Sequence, residues 1–388
     1  MPEVYIGRCD KALTNELIET LNEVFFSEEP EETRNDFLGL LPKLYKDKYE
    51  PAYNNVIVAE DGKIKGAVGL FPMTAYVDGE EIRIGGIGNV ATTSDSRGKG
   101  YMIDCMNMCL DIMKQDGTVY SVLNGQRQRY AHFGFESGGM VLNFNFNKSN
   151  LDRILGKDAK SAYTWKKLTE DDKETVEKAL ALYNRNTFRY ERTTESFCDI
   201  LMSWHAVPYA FFDGDEFRGY VSLGGDGSIA EIEFCEEKDF FEIIMCAMQI
   251  TGKDSFGINV APFKTEFCDF LYKYSSGNGV GHCHRICILD FKKFIKAFLA
   301  LKARSVSLCD GKVVLLIHGI KEDEKLEVAI SNGKVSVENT DKSADIELSH
   351  NEGVTFVAGL YSPERTKLPS FAQNWFPVYD YAGSEDNV

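Results

Sequence analysis

Between a strand pattern ending at Thr92-Thr93 and a helix pattern beginning at Tyr101 lies Ser94-Asp95-Ser96-Arg97-Gly98-Lys99-Gly100-Tyr101. Glycines let successive N–H groups turn towards one point without a Cβ clash. A helix N-terminus adds unpaired N–H donors and partial positive charge. Arg97 and Lys99 add full charges, and together these features suit a pyrophosphate. The segment is not a Walker loop, which needs Gly-Lys-Ser/Thr after four intervening residues. Nor is it a Rossmann fingerprint, because the strands before it form antiparallel hairpins and not a parallel βαβ unit. The plainer alternative is a glycine-rich basic turn on the surface. A second group with ligating side chains is His282-Cys283-His284 with Cys287. Structural zinc takes four ligands, often from two paired motifs, and no second pair lies nearby. The run from Gly281 to Leu289 alternates like a strand, which sets His282 and His284 on one face and Cys283 on the other. No metal is expected.

The elements that must hold the basic loop are legible as periodic patterns. Leu13, Leu17, Leu21 and Val24 recur every three or four residues, as in an amphipathic helix. Strand-like runs follow at 56–60, 64–76 and 82–92, separated by Asp61-Gly62 and Asp78-Gly79. Asp-Gly favours a tight hairpin turn because both residues tolerate positive φ. After the loop, Met102, Cys105, Cys109 and Ile112 form a helical stripe, then strands are expected at 118–123 and 140–146. Residues 151–290 repeat this order more faintly. A helix is expected near 174–182, a meander at 209–212, 219–223 and 229–234, a helix at 239–249, a strand at 255–260, a helix near 266–272 and a strand near Cys283. Cys235-Glu236-Glu237-Lys238 stands where the first copy has its glycine loop. From Phe291 onward a helix (291–302) precedes short strands at 306–308, 313–318, 326–330, 335–337 and 345–348. The run 354–360 fits helix or strand. The tail from Leu368 carries Phe371, Trp375, Phe376, Tyr379 and Tyr381, enough aromatic surface to dock. The expected fold class is α/β (α+β): two mixed-sheet modules in tandem, over 1–150 and 151–290, and a small α+β domain over 291–388.

The chain has 388 residues, which accommodates two or three domains at ~100–200 residues each. Its formal charge of −17 speaks against nucleic acid, which needs clustered cations. It also speaks against electrostatic binding to an anionic membrane. It suits a cationic substrate, although acidity also serves plain solubility. Ten cysteines show no framework spacing, the N-terminus lacks a secretion signal, and no apolar run reaches the ~20 residues of a membrane span. A reducing cytoplasm with free thiols is expected.

With Arg97, Gly100 and Met102 at the positions of Arg/Gln-x-x-Gly-x-Gly/Ala, the loop resembles the pyrophosphate loop of the GNAT superfamily of N-acetyltransferases; Met102 departs from the small residue usual there. Tyr130-Ala131-His132-Phe133-Gly134-Phe135 looks like that family's Tyr-x-x-Phe-Gly-Phe/Tyr segment. The resemblance implies acetyl-CoA as cosubstrate. Arg97, Gly98, Lys99, Gly100 and Tyr101 would hold its pyrophosphate, and backbone groups of Val90, Ala91 and Thr92 its pantetheine arm. A tyrosine at position 130, neutral at pH 7, can protonate the leaving thiolate; the alternative is that it only packs against the cosubstrate. The three-part layout resembles the Eis (enhanced intracellular survival) type, with an active GNAT module, a degenerate one and a sterol-carrier-like C-terminal domain. That likeness implies that the terminal carboxylate, here on Val388, serves as base or amine anchor. The expected reaction is acetylation of a primary amine: aminoglycoside-like, polyamine-like or protein lysine. A homo-oligomer is expected. The competing reading is a non-catalytic CoA- or lipid-binding scaffold.

Overall fold

Paired positive φ values build the first hairpins: 48° and 79° at Asp61-Gly62, 55° and 85° at Asp78-Gly79. They join β2 (Asn55–Glu60), β3 (Lys63–Val77) and β4 (Glu80–Thr92) into an antiparallel meander, and β1 (Val4–Arg8) adds to its outer edge. The computed structural model describes residues 3–157, 159–320 and 322–388. Their chain forms two compact units. One holds the chain up to Gly139, then His284–Asp380 and finally Asn387–Val388; the other holds Met140–Cys283 and Tyr381–Asp386.

In the first unit the sheet continues from β4 to β5 (Tyr120–Leu123), then to the strand His284–Ile288 and to β6 (Glu136–Gly138). All neighbours are antiparallel except β4 and β5, which run parallel. Alternation sorts the apolar residues. Val56, Val58, Val68 and Leu70 face the helix Tyr101–Gln115, whose buried stripe is Cys105, Met106, Cys109, Leu110 and Met113; Met102 and Ile112 only flank it. Ile57, Ala59, Ala67 and Phe71 face the other way, towards the helix Thr14–Phe26.

The remainder of this unit is a helix, Phe291–Ser305, on a four-stranded sheet of order 334–339, 323–331, 311–318, 346–349, followed by the helix His350–Ala358. Residues 306–308, expected as a strand, are irregular. The undecided run is helical at its start because Ser349 and Glu352 form a capping box. Trp375 and Phe376 are buried, and the Trp375 indole donates to the Cys309 carbonyl at 3.1 Å. The Lys302 ammonium, buried and pushed down to about 8 by that burial, donates to the Pro377 carbonyl at 2.8 Å. Buried Asp380 accepts from Tyr120 and meets the His284 ring at 2.8 Å. Each contact fixes one point of the tail.

The second unit repeats the scheme around its own sheet, of order 277–281, 141–147, 255–260, 229–234, 216–223, 207–213, 164–167. Its third meander strand, Ile229–Phe234, again runs parallel to the next, Ser255–Val260. The strand expected at 140–146 to close the first sheet pairs here instead, and His284–Ile288 pairs with β5 and β6. The two closing strands are thus exchanged. The strand 141–147 alternates as a half-buried strand does, whereas 284–288 is buried on both faces from Ile286 to Ile288; neither pattern names the partner sheet. The tail also enters this unit. Arg192, fully buried, bonds Glu231 through both terminal nitrogens (2.8 and 2.7 Å) and Asp386 at 2.9 Å, with its guanidinium stacked on Tyr183.

Candidate functional site

The site is built on the end of β4. Pairing of β4 with β5 runs from Ile84↔Tyr120 to Ile87↔Leu123, and β4 then continues along β3 to Thr92. Ala67 faces Ala91 and Gly69 faces Gly88, so β4 carries one extra residue between them, a bulge. Asn89 sits in it at φ 38°, a conformation that needs outside support in a non-glycine residue. That support is a hydrogen-bond chain. Asn89 accepts from the Tyr45 hydroxyl and donates to the Asn55 side chain, both at 2.8 Å, and Asn55 donates to the Pro51 carbonyl at 2.9 Å. Burial pushes the Tyr45 phenol well up, so it stays a donor. The pairing with β5 ends at Ile87, before the bulge, while Ala91 and Thr92 stay paired with β3.

Val388 lies on this strand. A side chain at Gly86 would come within 2.6 Å of Val388 Cγ2, and one at Gly88 within 3.4 Å of the Val388 carboxyl carbon. Glycine inside a strand weakens it and often marks the close approach of another backbone. Here the approaching residue is Val388. Val388 packs against the cluster of Phe37, Tyr45 and Phe71, and Lys43 donates to the Asn387 carbonyl at 2.6 Å.

The basic loop follows β4. Gly98 and Gly100 have φ of 82° and 88°, and a Cβ on either would meet nothing within 4 Å, so the loop is an open cradle. Gly100 precedes the helix Tyr101–Gln115, and no side chain caps its N-terminus. The first N–H groups there are left for an anion. Arg97 is exposed and has no hydrogen-bond or ion-pair partner among the described residues. Lys99 differs, because it pairs with Glu60 at 2.9 Å, and the Tyr101 hydroxyl also donates to Glu60. The Tyr101 hydrogen bond first, then Lys99, hold the Glu60 carboxyl below its ordinary range. Arg97 is therefore the freer cation. The Met102 side chain packs onto the apolar cluster under the helix. The corresponding spot in the second unit is plugged. Asp239 opens the helix Asp239–Thr251, accepts from the Glu236 N–H at 2.9 Å and from the Tyr163 hydroxyl at 2.6 Å, and is fully buried.

Tyr130 ends the short helix Arg127–Tyr130 and is buried in the same apolar cluster as Ile87, Leu123 and Phe133. Its ring stacks so closely over Gly125 that a Cβ there would lie 2.5 Å from it. Burial raises its pKa above the ordinary phenol value, partly opposed by Arg129. The structure thus gathers Val388 with Gly86 and Gly88, and Tyr130 with the helix that starts at the loop. Ile87 belongs to the Tyr130 cluster, whereas its neighbours Gly86 and Gly88 carry Val388, so the two groups lie on opposite faces of β4. Lys43, Tyr45, Glu60, Gly86 and Gly88 were not singled out from the sequence. The glycine run Gly85-Gly86-Ile87-Gly88 within a strand pattern was the available signal. Among the described residues, no group of three or more His, Cys, Asp or Glu is arranged to hold a metal ion, and no helix is long and apolar enough to cross a membrane.

Residues 6–138 match the family described as acetyltransferase (GNAT) domain. No curated protein matches the chain. Among solved structures, a GCN5-related N-acetyltransferase from Kribbella flavida is similar over 100% of this chain and 99% of its own, at 14% identity and a TM-score of 0.68. One from Anabaena variabilis covers 98% of each chain at 13% identity and 0.67. Eis1 from Mycobacterium abscessus covers 91% of this chain and 89% of its own at 11% identity and 0.60. At such identities these likenesses describe the fold. Beside the open loop and the β4 edge, the match over 6–138 identifies that segment as a GNAT acetyltransferase domain and the chain as an enzyme of the N-acetyltransferase kind.

Proposed function

We propose that this enzyme transfers an acetyl group from acetyl-CoA to a primary amine, with the terminal carboxylate of Val388 at the acceptor site. The observation that carries this reading is Val388 seated on the Gly86–Gly88 floor, beside the stretch of β4 that β5 does not pair. The cradle fits the cosubstrate. Arg97, the backbone of Gly98 to Tyr101 and the uncapped helix would hold its pyrophosphate, with Lys99 contributing less because Glu60 already pairs with it. The backbone of Val90, Ala91 and Thr92 would hold the pantetheine arm.

When bound, acetyl-CoA supplies an activated thioester. The chain's own residues do the rest. The Val388 carboxylate draws in a cationic amine and either orients it or takes its proton; a terminal carboxyl, with a reference pKa of ~3.3–3.7, is a weak base and a good anchor. N–H groups along the β4 edge polarise the thioester carbonyl. Tyr130, kept protonated by burial, donates its proton to the departing sulfur. The net charge of −17 favours cationic acceptors: polyamine-like, aminoglycoside-like or lysine.

The likeness to Eis1 over most of the chain supports the three-part reading. In it, 1–150 is the active module, 151–290 a degenerate GNAT-like module, and 291–388 a sterol-carrier-like domain whose tail reaches the site. The plugged helix start at Asp239 supports the degenerate assignment. A homo-oligomer working in the cytoplasm completes the proposal. Removing Val388 tests it. Turnover with an accepted amine should fall at least about tenfold while acetyl-CoA affinity holds; unchanged turnover overturns the role of the terminus.

A further inference from the structure

Lysine is among the side chains least often buried, because its ammonium must leave water. Lys43 is only 8% exposed, and the site as described so far gives it no task. It lies in the single helical turn Pro42–Tyr45, which starts with proline and whose four residues are all buried. Proline presets the backbone of a first helical turn, so this mount is stiff. From it the ammonium donates to the Asn387 carbonyl at 2.6 Å. That carbonyl belongs to the peptide unit that joins Asn387 to Val388. A peptide unit is planar, so a strong hydrogen bond to its oxygen fixes the direction in which Val388 leaves it. Gly86 and Gly88 then receive the Val388 side chain and carboxyl carbon. Two residues further along the same turn, the Tyr45 hydroxyl donates to Asn89 and holds the β4 bulge. One turn of helix therefore mounts both the chain terminus and the strand edge beside it.

We infer that Lys43 is a positioning residue for the terminal carboxylate: it clamps the last peptide unit, so that Val388 meets the acceptor amine in one place. This rests on the proposal that Val388 acts in the reaction. Lys43 itself touches neither substrate nor the reacting atoms in this account. A lysine buried for packing alone, replaced by an apolar chain of similar length, would leave both the mobility of Val388 and turnover unchanged.

Two measurements on the full-length chain test the clamp. The first does not involve catalysis: the rate at which a carboxypeptidase releases Val388. Lys43→Met, which keeps the length of the side chain, should speed release at least about tenfold. Lys43→Gln, which keeps polarity but cannot reach, should do the same, and Lys43→Arg should stay within about twofold of wild type. Equal release rates from wild type and from a folded Met or Gln variant overturn the clamp. The second is turnover in a cycle with removal of Val388. Lys43→Met should lower kcat about tenfold with the KM for acetyl-CoA unchanged, and should add nothing in a chain already lacking Val388. Losses that multiply in the double variant overturn positioning through the terminus. Faster release in Lys43→Met, together with unchanged turnover on removing Val388, upholds the clamp and overturns the proposed role of the carboxylate.

Discussion

Gly86→Ala adds one methyl group to the floor on which the terminus lies. Gly86 has an ordinary strand conformation, outside the positive-φ region, so alanine strains no backbone there. The new Cβ would stand 2.6 Å from Val388 Cγ2 and 3.1 Å from both Val388 Cγ1 and Met73 Cε. Carbon atoms settle at about 3.5–4.0 Å, so something must yield by roughly 1 Å. β4 is held on both sides, by β3 and β5, and the end of a chain gives way more easily. A displacement of about 1 Å in a catalytic group lowers rate by up to about a hundredfold. Fold stability should hardly change, because alanine at a compatible glycine position gains about 0.4–1 kcal/mol through the unfolded chain. The assay is kcat for amine acetylation beside acetyl-CoA affinity and thermal unfolding. The expected result is a ten- to hundredfold loss of kcat with affinity and melting temperature near wild type. Gly85→Ala is the contrast: its Cβ would strike Met113 Sδ at 2.2 Å on the helix side, so it should lower stability. Full turnover in a folded Gly86→Ala protein would refute the placement of the terminus in the reaction.

Tyr130→Phe keeps the ring in its apolar cluster and removes the proposed proton donor. It should lower kcat by about a hundredfold or more with acetyl-CoA affinity retained; full turnover removes the acid assignment. His350 gives a pH prediction. Burial pushes its pKa down to about 4, below the ordinary ~6.5 of the unfolded chain. Between these values the unfolded state binds the extra proton, so stability is lost as pH falls from about 6.5 towards 4. His350→Phe should flatten the wild-type fall in melting temperature across that window; identical pH slopes would refute the coupling.

Local chemistry was the part of the fold most legible in the sequence. Asp61-Gly62 and Asp78-Gly79 form the hairpins their positive φ requires, and strands 229–234 and 255–260 lie where their alternation put them. The aromatic tail is packed, with Trp375 fully buried. What the sequence left open depends on distant partners. Nothing in 141–147 or 284–288 tells which sheet each closes, because apolar residues ask for burial without specifying the strand beside them. The short turns 37–40 and 42–45 lack a periodic stripe, so nothing local marks Lys43 and Tyr45 before their contacts with Asn387 and Asn89 are known. The loop Arg97 to Tyr101 was legible because glycine and charge act locally. The engagement of Lys99 by Glu60, 39 residues earlier in the chain, was not.

The cradle after β4 is the proposed seat of acetyl-CoA. Isothermal titration of acetyl-CoA into wild type, Arg97→Ala and Lys99→Ala tests it directly. Saturable binding is expected, weakened at least about tenfold in Arg97→Ala and less in Lys99→Ala, whose cation Glu60 already holds. No binding to wild type, or equal affinity in Arg97→Ala, would contradict it.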